Sequence, residues 1–432
     1  MRFRSSPIHL TLAAIVAIAG CTTPVSSTEE ALAADSASVE PTTAASVVAD
    51  LSGSLFDADV VHVIDISADD DAIRSAVERY LADGEKEWIS ATVTIDGFTY
   101  ENVGLRLKGN SSLRDITADA APEELPWLIR LDEYVEGQQH EGYTELVVRS
   151  NNTETALNEA VALELLAEAG LASQSAVATS LSVNDSEPTL RLVIEHPDDT
   201  WMSEQFADDG ALYKAESTGD YSYRGTDSEA YDEVFDQEAG KDTTDLTPLI
   251  EFLDFVNNSD EETFADELGD HLDVEAFARY LAMMELVDNF DDIDGPGNNS
   301  YLFYDAETER FTVVPWDLNL AFGVTQGGPG GGGPAGRDGD PNAARPGGMP
   351  PGGAAGPGSM GGSNPLVERF LAVDEFAALT DAALDQLQSD LFDSGRAEEI
   401  LDRWTGVLET VPELIDADTV AAEAATIREA LS

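Results

Sequence analysis

The sequence predicts an α+β fold with a β-rich first half and a mainly helical second half, on three observations. Short runs of alternating apolar and polar residues, bounded by turn residues, recur from Leu55 to Lys214. Past Leu246, apolar residues return at three- and four-residue steps over long stretches. A strand pair, Ser300–Tyr304 with Phe311–Val314, interrupts that helical half.

The folded body begins near Leu55-Phe56, and its first extended run is Val60–Ile64. Residues 69–83 carry helical spacing, with Ile73, Val77, Tyr80 and Leu81 on one face. Trp88–Ile95 alternates as a strand, Asp96-Gly97 supplies a two-residue hairpin turn, and Phe98–Leu107 returns as the partner. Trp127–Leu131 and Glu145–Val148 form another expected pair. Thr153 is placed to cap a helix that runs to Ala169 and is closed by Gly170. Ala176–Val183 and Thr189–Ile194 are strands joined by a polar turn, and Leu212-Tyr213-Lys214 is a short apolar piece ending in a lysine. Helices are expected over Leu246–Val256, Val274–Leu286, Leu366–Leu371, Glu375–Phe392 and Ala397–Ile415. Residues 325–364 are rich in Gly and Pro, a composition that buries no core, and they lack the Gly-Lys-Ser/Thr of a phosphate cradle. They read as a flexible surface insertion.

The N-terminal end has its own logic. Arg2 and Arg4 precede an apolar run from Leu10 to Ala19, and Ile18-Ala19-Gly20-Cys21 follows. Residues 1–20 therefore read as a secretory signal, too short to span a bilayer, which needs ~20 apolar residues. Small residues directly before a cysteine resemble a bacterial lipobox. That resemblance implies cleavage before Cys21, acylation of its thiol, and a chain anchored to the extracellular face of the cell membrane. Cys21 is the sole cysteine, so no intrachain disulfide forms. Residues 21–50, rich in Ser, Thr, Ala and Glu, form a flexible tether.

The net charge of −63, from 85 acidic against 22 basic residues, opposes nucleic acid and anionic lipid as partners. It suits solubility in a salty medium. Lysine is scarce: Lys86, Lys108, Lys214 and Lys241 are the only four.

The densest polar cluster runs from Asp288 to Asn299, after an apolar helix and before a strand, and Asp317 follows within Pro315-Trp316-Asp317-Leu318-Asn319. Carboxylates and amides on such loops suit a hard divalent cation. An EF-hand register fails, because fixing Gly295 as its sixth position puts Phe290 first and Tyr301 twelfth. Phosphoryl transfer is the other metal reading. It needs a carboxylate at the acceptor hydroxyl, then an Asn and a second Asp on the metal; Asp291, Asn299 and Asp317 supply these in chain order. A phosphate site also needs local positive charge, for which Lys108, behind Arg106, and Lys214 are candidates. Trp316 is expected to pack beside Asp317. His62, His140, His196 and His271 show no metal-ligand spacing.

Three segments in consistent order resemble those of the spore coat protein H (CotH) kinase family. Gly104-Leu105-Arg106-Leu107-Lys108-Gly109-Asn110-Ser111-Ser112 resembles its Gly-x-Arg-x-Lys-Gly-x-Ser-Ser. Asn289-Phe290-Asp291 through Asn299-Ser300-Tyr301-Leu302 resembles its Asn-x-Asp…Asn-x-Tyr-Leu. Pro315-Trp316-Asp317-Leu318-Asn319 through Phe322-Gly323 resembles its Pro-Trp-Asp segment. Weaker echoes are Asn158-Glu159, Glu195, Leu212-Tyr213-Lys214 and Pro365-Leu366. The family's Arg-Glu pair reads Asn158-Glu159 here, and the Gly/Pro insertion begins directly after the third segment.

The resemblance covers roughly residues 55 to 415. It implies an atypical protein-kinase-like fold with a β-rich lobe over 51–216 and a helical lobe over 217–432, with ATP and Mg²⁺ or Mn²⁺ between them. Asp291 would be the catalytic carboxylate, with Asn299 and Asp317 on the metal. Lys108 and Arg106 would neutralise phosphates, with Glu159 orienting Lys108 and with Glu195 and Lys214 as further cofactor-binding residues. The acceptor would be a hydroxyl on an extracellular protein substrate. Two alternatives stay open: a catalytically inactive surface scaffold or adhesin of the same fold, and an extracellular calcium-binding module.

Overall fold

In a computed structural model, seven strands close into a barrel near the start of the folded chain. The structure describes residues 54–114, 116–206, 210–217, 219–295, 298–324 and 364–432. The signal-like start, Cys21, the tether and the Gly/Pro-rich insertion lie outside the described residues.

The first strand, β1 (His62–Ala68), leads into helix α1 (Asp70–Asp83), whose first turn is capped by Asp69 accepting from Ala72 N. Strands β2 (Ile89–Ile95) and β3 (Phe98–Leu107) form the expected hairpin, with Asp96 and Gly97 both at positive φ as a tight turn requires. Next come β4 (Trp127–Arg130), β5 (Glu145–Val148), helix α2 (Leu157–Glu168), β6 (Ala176–Val183) and β7 (Thr189–Glu195). The order β1-β2-β3-β4-β5-β7-β6 closes where β6 pairs in parallel with β1.

Alternation fills the barrel: Ile64, Val93, Ile95, Val103, Leu105, Trp127, Ile129, Leu146, Val148 and Val193 pack together inside it. The opposite faces of β4 to β7 are also covered, because Leu128, Val147, Ala178, Leu192 and Ile194 join a second core with α2. Burial on both faces explains the consecutive apolar residues Trp127-Leu128-Ile129 of β4 and Leu146-Val147-Val148 of β5.

Helix α2 is buried nearly all round, Asn158 and Glu159 included. It starts at Leu157, later than a cap at Thr153 predicts. Ala156 stands at φ 54, and the Thr153 and Thr155 hydroxyls accept from the amides of Ala156 and Leu157. Gly170 ends it in the left-handed region, as expected.

Helix α3 (Asp199–Gln205) leads to β8 (Gly210–Ala215) and β9 (Phe235–Ala239). Helices α4 (Thr247–Asn258), α5 (Glu261–His271) and α6 (Val274–Leu286) follow, then the hairpin β10 (Ser300–Asp305) and β11 (Arg310–Pro315). The second sheet is antiparallel in the order β11-β10-β8-β9. Since β8 pairs with β10, a division of the chain at residues 216/217 passes through this sheet.

Helices α7 (Pro365–Ala372), α8 (Asp374–Leu387), α9 (Arg396–Leu408) and α10 (Ala417–Ala430) complete the chain. The expected helix 397–415 ends at Leu408, and residues 409–415 are turns. Helix α10 ties back to the start of α2: buried Glu423 accepts from Glu154 N and Thr155 N, both at 3.0 Å. Among the described residues, no helix is long and apolar enough to cross a membrane.

Candidate active site

Where the end of β3 faces the second sheet, a cavity of about 560 Å³ opens. Six of the chain's 22 Lys and Arg residues line it, against five of its 85 Asp and Glu residues. Three of its four lysines, Lys86, Lys108 and Lys214, are there, with Arg106, Arg114 and Arg149. Asp291, Asn299 and Asp317 line the same cavity.

Each residue arrives on an element end. Arg106 and Lys108 leave β3 into a turn where Gly109 stands at φ 109 and where an added Cβ would meet Ser112 Oγ at 2.1 Å. Lys214 lies on β8, opposite Tyr301 of β10. Asp291 and Asn299 belong to the loop between α6 and β10. That loop folds on itself: Asn299 N donates to Asp292 O at 3.0 Å, and Asn299 Nδ2 donates to Asp291 O at 2.9 Å. This leaves the Asn299 carboxamide oxygen as its acceptor atom. Gly295 is required here, because an added Cβ would lie 2.6 Å from Asp291 Cα. Asn298 pins the loop to the turn after β8 through Glu216 O and Gly219 O.

Asp317 follows β11 and takes φ 60, a left-handed conformation that Asp tolerates better than most residues. Trp316 beside it is buried and packs edge-on against Tyr301, as expected. Lys108 Nζ and Arg149 Cζ each lie 6.0 Å from the Trp316 ring centre.

The expected pairing of Glu159 with Lys108 is not formed. Glu159 binds Arg149 instead, with Oε1 2.9 Å from Nη2 and Oε2 3.0 Å from Nε. The same guanidinium pairs with Asp317 Oδ1. Lys108, directly after β3, meets His196 instead, Nζ to Nε2 at 2.8 Å. Glu195 does not line the cavity either; it is buried and accepts from Ser175 N at 2.6 Å, which fixes the turn before β6. Arg149 and Lys86 are cavity residues that the motifs did not single out. Arg149 ends an apolar strand as Lys108 and Lys214 do, and that shared pattern is the signal that finds it.

The electrostatics follow from crowded cations. Burial, with Lys108 and Arg106 nearby, brings Lys86 down to about 8. Burial also lowers Lys108, which Glu238 partly offsets and Lys214 and Arg106 reinforce. Burial opposes the Arg149 charge, but Asp317 and Glu159 overturn it and hold the guanidinium above its ordinary value. Glu159 is pushed up to about 7 by burial, against the pull of Arg149 and with help from Asp317.

A bound polyanion reverses the cost of charging Lys86, so its binding takes up a proton above pH 8. Affinity for a polyphosphate probe should fall as pH rises through about 8, and Lys86→Gln should shrink that fall; calorimetry in buffers of different ionisation heat measures both. Without ligand the sign differs. Between pH 8 and 10.5 the unfolded chain binds a proton that the folded chain has released, so stability rises with pH across that window.

Residues 105–427 match the family described as CotH kinase protein. The chain belongs to that family. Inner spore coat protein H of Bacillus subtilis (strain 168) is 24% identical over 169 residues, which is 38% of this chain and 45% of that protein. The match thus spans less than half of that relative. The CotH region contains Arg106, Lys108, Arg149, Lys214, Asp291, Asn299 and Asp317, whereas Lys86 precedes it.

Buried Arg106 Nε, beside the cavity, has no hydrogen-bond partner within the protein, which suits an anionic ligand. Among the described residues no group of three or more acidic, His or Cys side chains gathers around one point. Mg²⁺ needs no such group, since it takes one or two carboxylates and completes its shell with phosphate and water. Asp291, Asn299 and Asp317 bring side-chain oxygens to this cavity.

Proposed function

We propose that this CotH-family chain is an ATP-dependent phosphotransferase with a two-lobed, kinase-like arrangement, acting on hydroxyls of extracellular proteins while tethered to the membrane at Cys21. The observation that carries the reading is the concentration of three of four lysines beside Asp291, Asn299 and Asp317 in one cavity of a chain with net charge −63. A random placement of scarce lysines on so acidic a chain does not produce it, and phosphate is the ligand chemistry that rewards it.

In this reading Arg106, Lys108 and Lys214 hold the phosphate chain, and Asp317 with Asn299 hold Mg²⁺ or Mn²⁺. The metal, when bound, neutralises charge on the transferring phosphate. Asp291 accepts the proton of the acceptor hydroxyl as its oxygen forms a bond to the γ-phosphorus. The bond from that phosphorus to the β–γ bridging oxygen breaks, and ADP leaves with the bridging electrons. Arg149 holds Asp317 from behind, and Glu159 holds Arg149.

The test is binding first, transfer second. ATP with Mg²⁺ at 100 times its Kd should stabilise the protein by about 2.7 kcal/mol, seen as a raised Tm that chelation removes. Labelled γ-phosphate should then appear on a protein acceptor. Absence of any nucleotide-dependent shift would leave a scaffold of the same fold, and a shift with Ca²⁺ alone would favour a calcium module.

A further inference from the structure

We infer that Lys108 is set by a Glu145–His196 pair carried on the barrel, not by a carboxylate of helix α2, which makes His196 a positioning residue for the phosphate-facing cation. The inference rests on the reading of the cavity as a nucleotide site, and it names what orients one of its groups.

Four side chains from four strand positions form a line. Arg130 Nε of β4 lies 3.3 Å from Glu145 Oε1 of β5. Glu145 Oε2 lies 2.8 Å from Nδ1 of His196, directly after β7, though off the axis of a hydrogen bond. His196 Nε2 lies 2.8 Å from Lys108 Nζ, directly after β3. With Lys108 an ammonium, which has donors only, Nε2 is the acceptor and the ring proton sits on Nδ1, 2.8 Å from the carboxylate oxygen. His196 is buried, and Glu145 holds its charge: its pKa falls despite burial, through His196, Arg130 and Lys108. A buried carboxylate thus selects the tautomer that receives the lysine.

The helix carboxylate is committed elsewhere. Both oxygens of Glu159 face Arg149, which in turn holds Asp317. The cavity therefore has two orienting networks. One runs through the barrel to Lys108, and the other runs from α2 through Arg149 to Asp317. In the usual kinase arrangement a helix glutamate pairs with the phosphate-binding lysine, so a helix displacement releases that lysine. Here a displacement of α2 would release Asp317 and leave Lys108 in place.

Acylation of Lys108 by N-hydroxysuccinimidyl acetate, without nucleotide, reads the lysine's surroundings directly, with Lys214 as the internal reference in the same molecule. His196→Leu removes the acceptor that stabilises the ammonium; a one-unit fall in the lysine pKa raises the neutral amine about tenfold, and the Lys108-to-Lys214 ratio should rise accordingly. His196→Gln offers a carboxamide oxygen in its place and should return the ratio to within about threefold of wild type. Glu159→Gln should shift that ratio by less than about threefold. An unchanged ratio in His196→Leu, or a rise beyond about threefold caused by Glu159→Gln, overturns the inference. Calorimetric ATP binding separates the two readings. If wild type binds ATP and His196→Leu binds it more weakly, both stand; if wild type binds none, the nucleotide reading fails while the acylation ratio still decides the role of His196. Should His196→Leu fail to fold, Glu145→Gln provides the second probe, since it weakens the hold on the ring and should raise the ratio in the same direction.

Discussion

If the cavity transfers phosphate as proposed, Asp317→Asn is expected to lower that transfer about 10³-fold, because a metal's hold on the transferring charge is worth several kcal/mol and each 1.36 kcal/mol is tenfold in rate. Asparagine is the informative replacement. Asp317 stands at φ 60, where alanine would add backbone strain of about 1–2 kcal/mol and confuse stability with chemistry. Asparagine tolerates that conformation and keeps an oxygen for Arg149 to donate to. What it removes is the negative charge that a divalent cation requires. Metal-free ATP binding should survive through Arg106, Lys108 and Lys214, while the gain in affinity on adding Mg²⁺ should vanish. Measuring ATP affinity with and without metal, beside single-turnover transfer, checks both halves. Transfer within tenfold of wild type would take Asp317 off the metal and return the cavity to a binding role.

The sequence makes some of this arrangement plain and hides the rest for physical reasons. Strands and helices with strong periodicity, such as β2, β3 and α6, stand where apolar spacing puts them. Strand β9, Phe235-Asp236-Gln237-Glu238-Ala239, has too few apolar residues to show a period; it is a sheet edge that lends Asp236 and Glu238 to the cavity. Helices α5 and α10 are acidic or alanine-rich and are placed by packing rather than by pattern. Arg106, Lys108, Lys214, Asp291, Asn299 and Asp317 all line the cavity, because each sits at a strand end or in a turn beside one, where local pattern fixes position. Partners across the fold are another matter. Whether Glu159 meets Lys108 or Arg149 depends on how α2 packs against the barrel at β6, and no spacing within either segment encodes that contact.

Arg149→Met should destabilise the fold by about 3–5 kcal/mol near neutral pH, the range for breaking a buried ion pair by removing one partner. The Arg149 side chain is 12% exposed and that of Glu159 2% exposed, so water does not replace the lost guanidinium. Methionine keeps much of the arginine stem's packing, which leaves the charge as the main change. The loss should depend on pH in a definite direction. Glu159 is raised by burial to about 7 even with Arg149 present, above the 4.5 of an unperturbed glutamate. A carboxyl with a raised folded value holds a proton that the unfolded chain has lost, so it lowers stability progressively as pH climbs from 4.5 towards 7. Removing Arg149 removes the attraction that opposes that rise. The variant should therefore unfold at a temperature nearer to wild type at pH 5 than at pH 8. Adding Glu159→Gln to Arg149→Met should recover most of the deficit at pH 8, because the amide needs no counter-charge, and the double-mutant cycle would isolate the pair's coupling. A deficit below about 1 kcal/mol at pH 8, insensitive to Glu159→Gln, would mean that Glu159 does not carry a buried charge and that Asp317 is held by something other than this relay.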